Sequence, residues 1–148
     1  MSCYCVHILE REGSSMQHDC EWIVVRDVDW RLNQSLPRAL YVRNIPIEHA
    51  LIAWPGCAKS FEVIGRIQDA MRMHHASKLA LVWSTDCGAY GWRARCGGTE
   101  QEDMLQQLKQ VRAAMALIWE RCPELKEARM ILARILDDGQ IVYGDVAP

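Results

Sequence analysis

The sequence predicts an α/β domain: a mainly parallel sheet of about four strands plus a C-terminal antiparallel strand, flanked by helices. Three observations carry the prediction. Short runs rich in β-branched residues alternate with longer segments of helical period, and parallel neighbours need such crossovers. The runs are apolar almost throughout, as strands covered on both faces read. The last two are separated by Asp137-Asp138-Gly139, a hairpin turn that makes the final pair antiparallel.

Taken in order, residues 1–20 show neither period and contain Gly13-Ser14-Ser15, so they read as an N-terminal arm ahead of a single domain over 21–148. The first strand is Glu21–Arg26, Glu-Trp-Ile-Val-Val-Arg. Residues 36–49 hold Pro37, Pro46 and mixed polarity and read as a short helix or an irregular connection. Ala50–Trp54 is the second strand, stopped by Pro55-Gly56. From 60 to 76 the period changes: Phe61, Ile64, Ile67, Met71 and His74 recur at three and four, with Ser60 as N-cap, which predicts an amphipathic helix. Leu79–Trp83 is the third strand. Thr99 and Glu102 form a capping-box pattern before a long helix with Leu105, Leu108, Val111, Met115 and Ile118 on its face, ended by Pro123. Arg129–Leu136 and Gln140–Tyr143 are the fourth and fifth strands.

Composition narrows the function classes. Lys and Arg number 17 against 19 Asp and Glu, a formal charge of −2, so the basic excess of a phosphate-neutralising nucleic-acid binder is missing. No apolar run approaches the ~18 residues of a membrane span. Seven cysteines is an odd number, and the N-terminus has neither a basic start nor an unbroken apolar stretch, so the expectation is a cytoplasmic protein with reduced thiols.

In parallel sheets ligands collect at the carboxyl ends of the strands, which singles out residues 26–31, 55–59 and 84–91. Other features read as structural. Cys3, Cys5, His7, His18 and Cys20 on the arm lack a zinc-motif spacing. His74 and His75 end a helix, where the macrodipole favours them. The six tryptophans fall mostly on or just after strands and suit core or interface packing. Gly97-Gly98 lacks the Lys-Ser/Thr of a phosphate loop, and Cys122 sits at a helix end.

The three strand-end segments read Asp27-Val-Asp29-Trp-Arg31, Gly56-Cys57-Ala58-Lys59 and Ser84-Thr-Asp-Cys87-Gly88. In this order they resemble the β-class carbonic anhydrase family and its short relatives, over roughly residues 18 to 145. The resemblance implies a homodimer or higher even oligomer with its cleft at the subunit boundary. It also implies a zinc held by two thiolates and an imidazole, beside an Asp/Arg pair that manages the metal-bound water. Position by position, Cys87 keeps one thiolate and Asp29 with Arg31 keeps the pair. Asp27 stands where the family has its first thiolate and Ser84 where it has its imidazole. Ser is outside the Cys, His, Asp and Glu set that zinc takes.

The expected site therefore has Asp29 and Arg31 as the catalytic pair and Asp27, Cys57 and Cys87 as the metal ligands of an altered set, with Asp29 an alternative third ligand. The plainer reading of Cys57 is a small buried side chain. With zinc doubtful, the resemblance implies a small-anion, ligand-binding or assembly role in the former cleft. The alternative is a zinc lyase that hydrates carbon dioxide with the non-standard ligands. The first three strands are expected to be adjacent, with Asp29, Cys57 and Cys87 converging and Asp29 paired to Arg31.

Overall fold

The computed structural model describes residues 19–58 and 61–147. The arm residues Cys3, Cys5, His7 and His18, the turn residue Lys59 and the Ser60 cap lie outside the described residues. One five-stranded sheet runs through the remainder: β1 (Trp22–Asp27), β2 (Ala50–Trp54), β3 (Lys78–Ser84), β4 (Glu127–Ile135) and β5 (Ile141–Val146), in the order β2-β1-β3-β4-β5. The first four strands are parallel, and β5 returns antiparallel to β4 after a turn in which the Gly139 N–H reaches the Leu136 carbonyl.

Both faces of the sheet are covered, which is why β1 is buried along its whole length. On one face α2 (Glu62–His74) and α4 (Glu100–Arg121) pack on Ile23, Val25, Leu79, Leu81 and Trp83. On the other, α1 (Leu36–Tyr41) and the loops around it bring Leu32, Leu36, Leu40 and Ile45 against Trp22, Val24, Ala80, Val82 and Ile131. The alternation of β1 side chains between these two clusters is the period of two expected of a strand.

The 36–49 connection is a short helix over 36–41 followed by irregular chain, in line with its expected reading, with Pro37 in the first turn where its missing N–H costs nothing. Several expectations need correction. Phe61, expected on the buried face of α2, is 76% exposed; Val63, Ile64, Ile67 and Ala70 form that face. Leu105 is likewise exposed, and the buried stripe of α4 is Asp103, Gln107, Val111, Met115 and Ile118. A search for apolar period alone passes over Asp103, which accepts the Asp86 N–H, and Gln107, which donates to Asp103. The capping box forms as expected: Thr99 Oγ1 accepts from the Glu102 N–H at 3.2 Å and donates to its carboxylate at 2.8 Å. A one-turn helix, α3 (Trp92–Arg95), follows the left-handed Gly91 and was not anticipated. Of the tryptophans, Trp22 and Trp83 are core, while Trp30 and Trp92 stay largely exposed. Among the described residues no helix is long and apolar enough to cross a membrane.

Candidate functional site

The strand order sets β1 between β2 and β3, so the segments leaving these three strands share one end of the sheet. The chain leaves β1 at Asp27 and turns into a one-turn 3-10 helix, Trp30–Leu32, capped by Asp29, whose side chain accepts from the Arg31 N–H at 2.9 Å. Leaving β2, it turns back on itself, with Gly56 and Cys57 both left-handed (φ +69° and +55°). Leaving β3, it passes a left-handed Asp86 and enters Cys87-Gly88.

Asp29 and Arg31 are paired. The Arg31 guanidinium meets both carboxylate oxygens of Asp29, Nη2 at 2.6 Å and Nε at 3.0 Å. Burial alone would raise Asp29, but the Arg31 hydrogen bonds and the charges of Arg31 and Arg26 outweigh it and hold its carboxyl below the usual carboxylate range. Arg31 also crosses to the loop after β3, donating to the Asp86 carboxylate at 3.3 Å and its carbonyl at 3.1 Å.

Deeper in, Asp27 is 2% exposed and Ser84 fully buried, and the Ser84 hydroxyl donates to Asp27 Oδ2 at 2.9 Å. The Cys87 thiol is hydrogen-bonded to the same carboxylate; burial, then Asp27, pushes it up to about 12. Cys57 is wholly buried with its thiol turned to the Val25 carbonyl at 3.5 Å, and burial followed by the Asp27 charge raises it further still. The Tyr90 hydroxyl donates to the Gly56 carbonyl at 3.1 Å and closes the turn after β2 over this point. The space between Cys57, Trp83, Tyr90 and Val111 is too small to admit a water molecule.

This donor set does not fit a catalytic zinc. Ser84 offers a neutral hydroxyl and spends it on Asp27. Burial raises both the Cys57 and Cys87 thiols, so a metal here would have to displace their protons from an apolar setting. Among the described residues no group of three His, Cys, Asp or Glu side chains is placed to hold a metal ion. Asp27, Cys57 and Cys87 come to one end of the sheet, where Cys87 is hydrogen-bonded to Asp27 while the Cys57 thiol turns to the Val25 carbonyl.

Four residues that build the site carry no role in the sequence reading, although Arg26 and Asp86 lie within the strand-end segments it singles out. Arg26 lies 9% exposed and donates to the carbonyls of Asp27 at 2.9 Å and Asp29 at 2.8 Å, fixing the turn after β1. Asp103 on α4, fully buried, accepts the Asp86 N–H at 2.7 Å. Asp86 in turn accepts the Arg93 N–H at 2.9 Å. The Arg93 guanidinium then reaches Asp103 (3.4 Å), the Ile135 carbonyl (2.5 Å) and Asp137 (2.5 Å). Two signals were legible: Arg26 is a basic residue that closes the apolar run of β1, and Asp103 and Gln107 stand eight and four residues before Val111, in line with the apolar stripe.

The chain matches no protein-family model and no curated protein. It does resemble solved structures. A carbonic anhydrase from Streptococcus mutans superposes with a TM-score of 0.59 at 16% identity, covering 88% of this chain and 86% of that one. Tetrameric β-carbonic anhydrases from Sordaria macrospora give 0.55 at 11%, covering 88% and 84%. A β-carbonic anhydrase isoform from Trichomonas vaginalis gives 0.52 at 9%, covering 93% and 87%. The likeness spans nearly all of each chain and coincides with the sheet order, the antiparallel last strand and the helices on both faces: the protein has the β-carbonic anhydrase fold.

Proposed function

We propose that this protein keeps the carbonic anhydrase scaffold, including the Asp29–Arg31 pair, without zinc-dependent carbon dioxide hydration, and that it works by assembly. The observation that carries the reading is the 2.9 Å bond from Ser84 to Asp27, which occupies both positions that depart from the family's ligand pattern. Of the roles open to such a site, assembly is better supported than anion binding. Asp27, Asp29 and Asp86 outnumber Arg26 and Arg31 at this end of the sheet, and Arg31 is already engaged by two carboxylates.

A homodimer or even oligomer through the β2 edge follows from the same reading. Among the described strands β2 pairs only with β1. Its sequence, Ala-Leu-Ile-Ala-Trp, carries none of the charges or prolines that guard exposed edges. Ile47, Leu51 and Phe61, on or just beside this strand in the chain, are 84%, 52% and 76% exposed. Cys20, Cys57, Cys87, Cys96 and Cys122 are free thiols, which suits a reducing compartment.

The test is zinc content and carbon dioxide hydration of protein purified without chelators, beside its mass by light scattering. The expected result is little zinc, hydration at the buffer rate, and a dimer or multiple of it that Leu51→Glu dissociates. A stoichiometrically loaded, active protein refutes the non-catalytic reading in favour of a zinc lyase, and a monomeric parent refutes the assembly reading.

A further inference from the structure

We infer that Asp27, Ser84 and Cys87 form a hydrogen-bonded cross-link that does the structural work of an ion, locking the carboxyl ends of β1 and β3 together. The inference rests on the reading above and adds what the altered residues do. The backbone ladder between β1 and β3 runs from Trp22–Lys78 to Arg26–Val82. Asp27 and Ser84, each the last residue of its strand, lie just beyond the last of these pairs. There the side chains take over: Ser84 bonds to Asp27 across 57 residues of sequence, and Cys87 joins from the outgoing loop.

The chemistry of the three groups is complementary. A carboxylate offers only acceptors, and both partners bring a proton. Burying a carboxylate is costly unless its oxygens are bonded, and here one donor from the end of β3 and one from the loop after it meet it. The residues at the two departing positions thus satisfy each other. A second bridge lies outside the first: Arg31 spans from Asp29 to Asp86 and ties the same two exit loops. Arg26, donating to the carbonyls of Asp27 and Asp29, keeps the β1 loop in the shape that both bridges need. Removing one donor strands part of the carboxylate, whereas a conservative change that keeps a proton on it does not.

The experiment is thermal unfolding of the full chain, with chelator, with equimolar zinc and with neither, for the parent, Ser84→Ala, Cys87→Ala and Cys87→Ser. The parent midpoint is expected to move by no more than about one degree among the three conditions. Ser84→Ala and Cys87→Ala are expected to lower it by roughly 3 to 8 °C, and Cys87→Ser to restore most of the loss. Should Ser84→Ala fail to fold, the Cys87 pair and the parent's chelator response still decide. Parental midpoints for both alanine variants overturn the cross-link while leaving the non-catalytic reading intact. A parent whose midpoint falls with chelator shows that an ion holds the strand ends and overturns the inference. Carbon dioxide hydration by a chelator-indifferent parent overturns only the functional reading.

Discussion

Replacing Arg31 by methionine keeps the length of the side chain and removes the charge that faces Asp29. The Asp29 side chain is 10% exposed and its partner 25%, so the pair stands between two regimes. Exposed ion pairs contribute about 0–1 kcal/mol, and breaking a buried one from a single side costs about 3–5 kcal/mol. The Asp29 oxygens keep one donor, the backbone N–H of residue 31, and lose the guanidinium; we therefore expect a loss of about 2–3 kcal/mol at neutral pH. For a chain of this size that is a fall in midpoint of roughly 4–10 °C. The pH dependence supplies the sharper check. Asp29 is held below its ordinary range in the parent, so its contribution is present above the unfolded carboxyl value near 4 and is lost only as pH falls through the lower folded value. Without Arg31, burial raises the Asp29 carboxyl, and protonation relieves the variant earlier on acidification than the parent. The gap between parent and Arg31→Met, measured by calorimetry from pH 7 down to about 4, should narrow as pH falls. A constant gap, or a loss within the ~0.5 kcal/mol of an ordinary surface change, would refute the assignment of Arg31 as the partner of a strained carboxylate. The Asp29→Asn background completes a double-mutant cycle, in which removing Arg31 should cost much less.

Three further outcomes follow from the same geometry. Thr99→Ala removes the cap of α4 and should lower stability by about 1 kcal/mol, read from urea unfolding with an unchanged m-value. Asp27→Cys together with Ser84→His should raise zinc content toward one ion per chain, with each single change doing much less, because three ligands act as one shell; elemental analysis that finds the double variant metal-free would show that these residues do not correspond to the family's ligands. The Cys87 thiol, pushed up to about 12, should react with a thiol reagent at pH 8 far more slowly in the folded protein than after denaturation; folded-state labelling at the denatured rate would contradict its burial against Asp27.

The sheet was legible in the sequence because its central strands β1 and β3 are buried on both faces and so read as apolar runs, and because the edge strand β2, though half exposed, begins and ends where its apolar run does. The hairpin and the Thr99 cap were legible because each rests on local chemistry that a few neighbouring residues supply. Asp29 and Arg31 could be paired from sequence, being two apart on one turn. What could not be read is the Ser84–Asp27 bond, since its partners are far apart in the chain and nothing local marks either as the other's mate. The same holds for Asp103: its polarity argues for the surface, and only the left-handed turn at Asp86, which aims a backbone N–H at α4, explains why it is buried. Leu105 shows the converse, an apolar residue left outside because the helix is rotated to bring Asp103 and Gln107 inward.

Arg93 lends the molecule a property that no single bond conveys. Its backbone holds the Asp86 carboxylate, and its guanidinium holds α4 through Asp103 and the β4–β5 hairpin through Ile135 and Asp137. The hairpin and the loop that carries Cys87 therefore share one anchoring residue. We expect the segments so tied to exchange their amide hydrogens as one cooperative unit, and hydrogen exchange showing the hairpin opening independently of the Cys87 loop would contradict this. The distal turn at Asp137, far along the chain from Asp27, is thus connected through one arginine to the loop that carries Cys87.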